Sequence, residues 1–339
     1  MRGAFISLDL HSPEFTGKFK AANTKRSLFC RPAVSGALHG VRITRRRTMT
    51  MTTRVGQGDY QFEVVEDWAQ LPDGWTFGWV PGVAVDSQDR VLVFSRSEHP
   101  LIVFDTDGNV LESWEDTPLV PENAHGIYID ASDQVYLTEW LGHCVYKFSP
   151  AGELQWTLGT PGVPRPPGRP FNRPTDVAIA PDGCLFVSDG YVNHKVHKFS
   201  PDGVQLLSWG EPGTGPGQFD LVHSVWVDSD YRVYICDREN NRIQIFDQDG
   251  AFLEEWPGYL RPDKLWFDDD ETIFMAEVGH RVTILDRQNT VLSQWGVAGS
   301  APDQFEAAPH GIWGDSRGDL YVSEVAANGL IKKFVRVRD

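Results

Sequence analysis

Six segments of this chain match one another when they are stacked, and this repeat restricts the possible folds more than any other feature of the sequence. The segments begin at residues 81, 125, 175, 223, 263 and 310. Each contains an apolar run, a turn of the "DSQDR" or "APDG" type, two further apolar runs separated by a polar loop, a hairpin turn and a last run. Four short strands per repeat predict one blade of a β-propeller, so six repeats predict six blades.

The two ends of the chain complement each other. The sixth segment stops at "FVRVRD", after its third strand, whereas "YQFEVVEDW" at residues 60–68 resembles the fourth strands "VLESW" and "FLEEW". We expect the N-terminal strand to complete the last blade, because this closure leaves only short, protected sheet edges. The sequence therefore predicts an all-β, six-bladed propeller over residues 57–339, closed by the N-terminal strand, after a disordered basic extension over residues 1–56.

Charge is unevenly distributed along the chain. Residues 1–48 contain ten of the 31 Lys and Arg residues but only two of the 47 acidic residues. The rest of the chain therefore carries a net charge of −24. Such a body repels phosphate backbones and anionic lipids, and we expect neither a nucleic-acid nor a membrane partner. The first 48 residues fit either an organelle transit peptide or, as we favour, a disordered tail or upstream start before an initiator at Met49 or Met51.

The four cysteines are scattered and form no CxxC pair. This pattern favours a reducing compartment, which we take to be the cytoplasm, with a mitochondrion or another organelle as the alternative if the extension is a transit peptide.

One column of the stacked repeats contains histidine in alternate segments. It reads Pro81, His125, Thr175, His223, Asp263 and His310. The first strand of each blade lines the channel of a propeller, and alternate blades of a six-fold ring lie about 120° apart. Three imidazoles would therefore converge at one mouth, and three neutral nitrogens with an open position are typical of a catalytic zinc site.

The loops between the second and third strands return to the same mouth. They carry Arg96, Tyr191 and Arg238. Two guanidinium groups and a phenol beside a Lewis acid fit a carboxylate clamp and a proton-transfer group. We expect the arginines and the metal to lower the pKa of the phenol. Glu139, Glu277 and Glu324 end second strands and are expected to bind backbone amides instead.

The link segments "WGEPGTGPGQFD" and "WGVAGSAPDQFE" resemble those of NHL repeats. Residues 75–335 further resemble the peptidyl-α-hydroxyglycine α-amidating lyase family, in stretches such as "FVSDGYVNHKVHKFSPDG", "CDRENNRIQIF" and "PHGIWGD". That resemblance implies a six-bladed propeller with a three-histidine zinc site, a catalytic tyrosine and arginine, and a structural calcium.

Carried onto this chain, the resemblance implies zinc ligands at His125, His223 and His310, a catalytic tyrosine at Tyr191, and active-site arginines at Arg96 and Arg238. It also implies calcium bound by the backbone carbonyls of Val83 and Ile127. The family's calcium-binding aspartate is replaced by Gly311, which leaves too little oxygen charge for a hard cation. Val192 and Tyr234 stand where the family has half-cystines.

These features predict a zinc-dependent lyase that cleaves an N-acyl-α-hydroxyglycine, or a similar carbinolamide such as ureidoglycolate, to an amide and glyoxylate. Its partners would be that small or peptide-like substrate and a separate hydroxylase that supplies it. Two alternatives stay open at this point. One is a metal-assisted hydrolase of a lactone or ester, and the other is a non-enzymatic NHL interaction module.

Overall fold

The computed structural model describes residues 52–115, 117–327 and 329–338, and these residues are almost entirely in strands, turns and loops. Within these ranges the helical segments are two 3₁₀ turns, Pro121–Asn123 and Arg238–Asn240. The first strand of each repeat contacts the first strand of the next, and the sixth returns to the first. The predicted all-β, six-bladed propeller is confirmed.

Each blade is an antiparallel sheet whose first strand lies at the channel and whose later strands follow outwards. Two strands precede the first blade in the chain, β1 (Arg54–Gln57) and β2 (Tyr60–Val65). Blades 1 to 3 contain β3 (Gly82–Val85), β4 (Val91–Phe94), β5 (Leu101–Phe104), β6 (Val110–Ser113), β7 (Ala124–Ile129), β8 (Val135–Glu139), β9 (Cys144–Phe148), β10 (Leu154–Gly159), β11 (Asp176–Ile179), β12 (Leu185–Asp189), β13 (Lys195–Phe199) and β14 (Gln205–Trp209).

A short parallel pair, β15 (Glu211–Pro212) and β16 (Gln218–Phe219), forms within the Gly-rich link between blades 3 and 4. Blades 4 to 6 contain β17 (Val222–Val227), β18 (Val233–Asp237), β19 (Arg242–Phe246), β20 (Phe252–Pro257), β21 (Pro262–Phe267), β22 (Ile273–Glu277), β23 (Arg281–Leu285), β24 (Val291–Trp295), β25 (Ala308–Gly314), β26 (Leu320–Val325) and β27 (Leu330–Arg336).

Strand β2 closes the ring in the predicted position. It pairs antiparallel with β27, so that Val64 lies opposite Phe334, and β1 folds back on β2 as a fifth strand of blade 6. Strand β1 starts at Arg54, three residues before the predicted domain boundary, because its backbone groups find partners along β2. Residues 1–51 lie outside the described part of the chain, so the predictions of disorder or a transit peptide stay predictions.

Hydrogen bonds tie adjacent blades together at the mouth where the first strands end. Ser87 donates its backbone N–H and its hydroxyl to the carboxylate of Asp133 in the next blade, at 2.8 and 2.6 Å. Ser316 makes the same two contacts with Asp89, both at 2.8 Å, and so joins blade 6 to blade 1. These contacts restrain the rotation of blade 1 relative to blades 2 and 6.

The acidic residues that end the second strands have the structural role predicted for them. Glu139 accepts the backbone N–H of Val120, and Glu324 accepts that of Ala307. The carboxylate of Glu277 does the same for Leu260. In each case a buried carboxylate fixes the segment that leads into the first strand of its blade, and therefore the side chains at the channel mouth.

The cysteines in the described ranges, Cys144, Cys184 and Cys236, are buried and unpaired. Tyr234, at a predicted half-cystine position, is fully buried and donates its hydroxyl to Asp228 at 3.0 Å. No helix in these ranges is long and apolar enough to cross a bilayer. The cytoplasmic location stays a prediction.

Truncation of a buried side chain on the closing strand tests the ring. Phe62 is fully buried, with its ring centroid 5.3 Å from that of Trp295. We expect Phe62→Ala to lower the free energy of unfolding by about 3–5 kcal/mol. Phe252→Ala, on a fourth strand where the side chain is 37% exposed, is the matched control and should cost much less. Urea denaturation measures both values, and equal losses would contradict the closure.

Candidate metal centre

The histidines of the alternating column converge in the channel. The ring centroids of His125 and His223 lie 5.0 Å apart, those of His125 and His310 5.0 Å, and those of His223 and His310 4.8 Å. All three side chains are buried, and one nitrogen of each lies within 4.8 Å of the nitrogens of the others. The structure therefore brings together the three residues that the repeat column selected.

Irregular strand pairing places these histidines. The pairing of the first and second strands shifts register between Ala124 and Ile127, between Val222 and Ser224, and between Pro309 and Gly311. Each shift inserts extra backbone at the histidine, as in a β-bulge, and a bulge re-aims the side chain that it carries. In blades 1 and 3 the first strand begins one residue after the column position and pairs regularly.

Each histidine is held by a carbonyl of the following blade. The Nδ1 atom of His125 lies 2.7 Å from the carbonyl oxygen of Thr175, and that of His223 lies 3.0 Å from the carbonyl oxygen of Asp263. His310 completes the set, with Nδ1 2.6 Å from the carbonyl oxygen of Pro81. A carbonyl only accepts, so each Nδ1 carries the proton and each Nε2 keeps its lone pair for a metal.

Burial keeps these imidazoles neutral. It lowers the pKa of His125 and of His223 well below the ordinary value, and it lowers the pKa of His310 to about 3. The nearby arginine guanidinium groups act in the same direction. Three buried, neutral nitrogens that face one another are the ligand set of zinc and similar transition metals, so the residues present fit such an ion.

Tyr191 lies directly over the histidines. Its hydroxyl oxygen is 3.0 Å from Nε2 of His125 and 3.4 Å from Nε2 of His223. The phenol therefore contacts the two atoms through which these histidines would bind a metal. The loop between β12 and β13 carries it, as the sequence predicted.

The pKa of Tyr191 is raised, and the expected lowering does not occur in the protein itself. Burial of the phenol raises the pKa, and the charge of Asp263 adds to that effect. Arg238 and Arg96 lower the pKa, as predicted, but burial outweighs them. The sequence could not show that burial of this partly exposed side chain outweighs the two arginines.

Arg238 is fixed by carboxylates beside Tyr191. Its Cζ atom lies 5.9 Å from the centre of the Tyr191 ring. Nη1 donates to Oδ1 of Asp263 at 3.2 Å, and Nε donates to Oε1 of Glu239 at 2.9 Å. Burial alone would lower the pKa of Arg238. The charges of Asp263, Tyr191 and Glu239 outweigh burial, so the pKa of Arg238 is raised overall. The guanidinium is therefore a permanent positive charge at this mouth.

Arg96 lies on the other side of the site, between two indole rings. Its Cζ atom is 5.6 Å from the ring centre of Trp79 and 5.1 Å from that of Trp140. Its Nε donates to the carbonyl oxygen of Ala124, the residue before His125, at 3.0 Å. Burial lowers its pKa from the ordinary arginine value, and the charge of Tyr191 partly offsets this.

Asp263 belongs to the site although the sequence pattern gave it no role. Its carboxylate is fully buried, with Oδ1 3.3 Å from Nδ1 of His223 and Oδ2 3.4 Å from Nδ1 of His310. Burial raises its pKa to about 7, against the opposing charge of Arg238. Its position in the histidine column was the signal that could have identified it.

Trp140 and Arg173 were also missed. The Trp140 ring lies 5.5 Å from the ring of Tyr191 and 5.5 Å from Cζ of Arg173. In the stacked repeats Trp140 occupies the same position as Arg96 and Arg238, in the loop after the second strand. That shared position would have selected it, whereas nothing in the sequence pattern selects Arg173.

The channel does not fit the calcium site that the resemblance implies. Val83 and Ile127 do line the channel beside the histidines. The carbonyl oxygen of Ile127, however, lies 3.4 Å from the ammonium nitrogen of Lys264, and the position of the missing carboxylate is Gly311. A hard divalent cation needs six or more oxygen ligands and is repelled by an ammonium group.

Comparisons with known proteins agree with this architecture. The NHL repeat model matches residues 171–199. NHL repeat-containing protein 3 of Mus musculus is 30% identical over 279 residues, which cover 75% of this chain and 78% of that protein. Peptidyl-alpha-hydroxyglycine alpha-amidating lyase 1 of Drosophila melanogaster is 29% identical over 219 residues, or 61% of this chain and 38% of that protein. The solved structure of streptogramin B lyase shares the fold, with a TM-score of 0.58 at 13% identity, covering 80% and 97% of the two chains.

Removal of one histidine tests the metal centre. Loss of a residue that only hydrogen-bonds to a metal ligand lowers metal affinity by roughly 10–100-fold. His223→Ala removes a ligand itself, so we expect a larger loss of affinity. Elemental analysis after gel filtration should find about one ion per wild-type chain and almost none in the variant. His280→Ala is the control, because Nδ1 of His280 also contacts a backbone carbonyl, that of Phe305, but the ring lies outside the trio. Metal retained by His223→Ala would refute the site.

The pH dependence of stability tests the buried state of His310. In metal-free protein the unfolded chain binds a proton at about pH 6.5, whereas folded His310 binds one only near pH 3. The free energy of unfolding should therefore fall as the pH drops below about 6.5, by about 1.4 kcal/mol per pH unit for this group. Urea denaturation with a chelator, between about pH 6 and pH 4.5, should show a slope shallower by that amount in His310→Gln. Equal slopes for the wild type and His310→Gln would contradict the low pKa of folded His310.

Proposed function

This chain belongs to the family of NHL repeat-containing protein 3, and from that membership and its likeness to an amidating lyase we propose that it is a carbon–nitrogen lyase. The proposed reaction converts an N-acyl-α-hydroxyglycine, or a similar carbinolamide such as ureidoglycolate, to an amide and glyoxylate. The observation that carries the proposal is the contact of Tyr191 with Nε2 of both His125 and His223, at 3.0 and 3.4 Å.

The Nε2 atoms of His125, His223 and His310 would hold a zinc ion. Bound there, zinc would supply Lewis acidity and lower the pKa of the α-hydroxyl group of the substrate. The protein contributes the orientation of the ligands. Each Nδ1–H is fixed on a carbonyl of the next blade, so the lone pairs are aimed before the ion arrives.

Tyr191 would move the proton that the reaction requires. Breaking the C–N bond converts the α-hydroxyl carbon to an aldehyde, while the leaving amide nitrogen gains one proton and the hydroxyl oxygen loses one. The phenol oxygen lies beside the ligand nitrogens and can take the proton from the oxygen and return it to the nitrogen. Arg238 and Arg96 favour the phenolate form, which burial disfavours.

The two arginines would hold the carboxylate of the glycolate half. Arg96 and Arg238 lie on different blades on either side of Tyr191, and each has one side anchored by a contact within the protein. Guanidinium groups bind carboxylates through paired N–H donors. The carboxylate held between them would place the α-hydroxyl group over the histidines.

The acidic body of the chain disfavours nucleic acid as a partner, and the positive charge at the histidine mouth comes from Arg96 and Arg238. Hydroxylation of the parent N-acylglycine at its α-carbon would give the proposed substrate. We therefore propose a separate hydroxylase as its source.

Replacement of the phenol by phenyl tests the catalytic assignment. We expect Tyr191→Phe to retain the metal and to lose about 10²–10⁴-fold in the rate of glyoxylate release from α-hydroxyhippurate, because only the proton-transfer group is removed. Tyr128→Phe is the matched control. Tyr128 lies in the channel wall towards the other mouth, where its hydroxyl donates to the carbonyl of Ile179 at 3.4 Å. Undiminished activity in Tyr191→Phe would overturn the role.

Metal content and glyoxylate release, measured on the same preparation, also distinguish the rival functions. Bound metal without glyoxylate release from a panel of hydroxyglycines would contradict the lyase and point to the hydrolase. A metal-free, inactive protein would point to the interaction module.

A further inference from the structure

A buried ion pair crosses the channel directly behind the histidines. Lys264 follows Asp263 on β21, and its ammonium nitrogen lies 2.7 Å from each carboxylate oxygen of Asp176 on β11. The same nitrogen lies 3.4 Å from the carbonyl oxygen of Ile127 on β7. One lysine thus bridges blades 5, 3 and 2, and both charged side chains are almost fully buried.

The carboxylate of Asp176 has a full set of partners. Besides the two contacts with Lys264, Oδ2 accepts the hydroxyl of Ser224 at 2.6 Å. A buried carboxylate that accepts an ammonium group and a hydroxyl is satisfied without a metal ion.

The opposite half of this channel layer has no side chains. Where blades 3, 4 and 5 have Asp176, Ser224 and Lys264, the matching positions in the other three blades are glycines, namely Gly82, Gly126 and Gly311. The charged and hydroxyl side chains of this layer therefore all come from blades 3, 4 and 5.

A carboxylate cannot be added at Gly311 without displacing the backbone. A Cβ atom there would lie 2.9 Å from the backbone nitrogen of Val83 and 2.6 Å from the hydroxyl oxygen of Ser323. At Gly126 a Cβ atom would lie 2.6 Å from the carbonyl oxygen of Thr175. The backbone of this layer is packed for glycine, so it offers no place for further oxygen ligands.

We propose that the ammonium group of Lys264 is the built-in cation of this channel, and that the propeller holds its blades together here without a bound divalent ion. The lysine satisfies the carbonyl of Ile127 and the carboxylate of Asp176, which are the groups that a hard cation would need. Its positive charge excludes a second cation from the same layer. The histidine cluster is thereby supported by a covalently attached charge that chelators cannot remove.

The wild-type protein gives the first test. Its thermal unfolding midpoint, measured on calcium-depleted protein with the transition-metal content held constant, should be the same with and without excess calcium, and isothermal titration with calcium should give no stoichiometric heat. A rise of about 5 °C or more in calcium, as a ligand at about 100 times its dissociation constant would cause, would overturn the proposal.

Variants of the pair give the second test. Lys264→Met keeps the length of the side chain but leaves Asp176 buried without its partner, and we expect its midpoint to fall by roughly 5–15 °C. The double variant Lys264→Met, Asp176→Asn should recover part of that loss, and it keeps the test valid if the single variant does not fold. Lys198→Met is the control, since that lysine is equally buried but donates to the carbonyl of Gln248, away from the channel.

A midpoint for Lys264→Met equal to that of wild type would refute the bridge. These measurements use unfolding and calcium binding, whereas the lyase proposal is tested by transition-metal content and glyoxylate release. The failure of either proposal therefore leaves the other standing.

Discussion

The pairing of β2 with β27 is the interaction on which the rest of the molecule depends. It joins the N-terminal strand to the last strand, so that each first strand has two neighbours around the channel. Once six similar blades close, the distance across the channel follows from the geometry of the ring. The closed ring brings the first strands together, and the bulges and carbonyl contacts at His125, His223 and His310 then give ring separations of 4.8–5.0 Å.

The hydrogen bonds that orient the histidines also join the blades. Each Nδ1–H reaches a carbonyl of the following blade, so a rotation of one blade would disturb both the packing and the direction of an Nε2 lone pair. Asp263 extends this coupling, because its backbone carbonyl holds His223 while its carboxylate approaches His310 and contacts Arg238. The orientation of two of the histidines and the position of the Arg238 guanidinium group thus depend on one residue.

The sequence predicted those features that depend on the period of the repeat. Residues at equal positions in successive repeats lie at equal heights in the channel, so the column alone identified His125, His223 and His310, and the loops after the second strands identified Arg96, Tyr191 and Arg238. It could not predict features that depend on how far a side chain reaches. Lys264 contacts blades 2 and 3 from blade 5, and no spacing rule connects these positions. The bulges at the histidines depend on local backbone pairing, and the burial of Tyr191 depends on the surrounding loops, so the repeat period predicts neither.

The layers of the channel show from which side a substrate must approach. Behind the histidines lies the ion pair of Lys264 and Asp176, and behind that pair Tyr128, Trp226 and Trp313 meet with ring centroids 5.4–5.7 Å apart. A cavity of about 920 Å³ opens beyond these rings, at the opposite mouth. The aromatic rings separate that cavity from the histidines, because they come from blades 2, 4 and 6 and meet within the channel. A ligand therefore reaches the histidines past Arg96, Trp140 and Arg238. In the proposed lyase, the loops that follow the second strands, which carry these three residues, would decide which acyl groups are accepted.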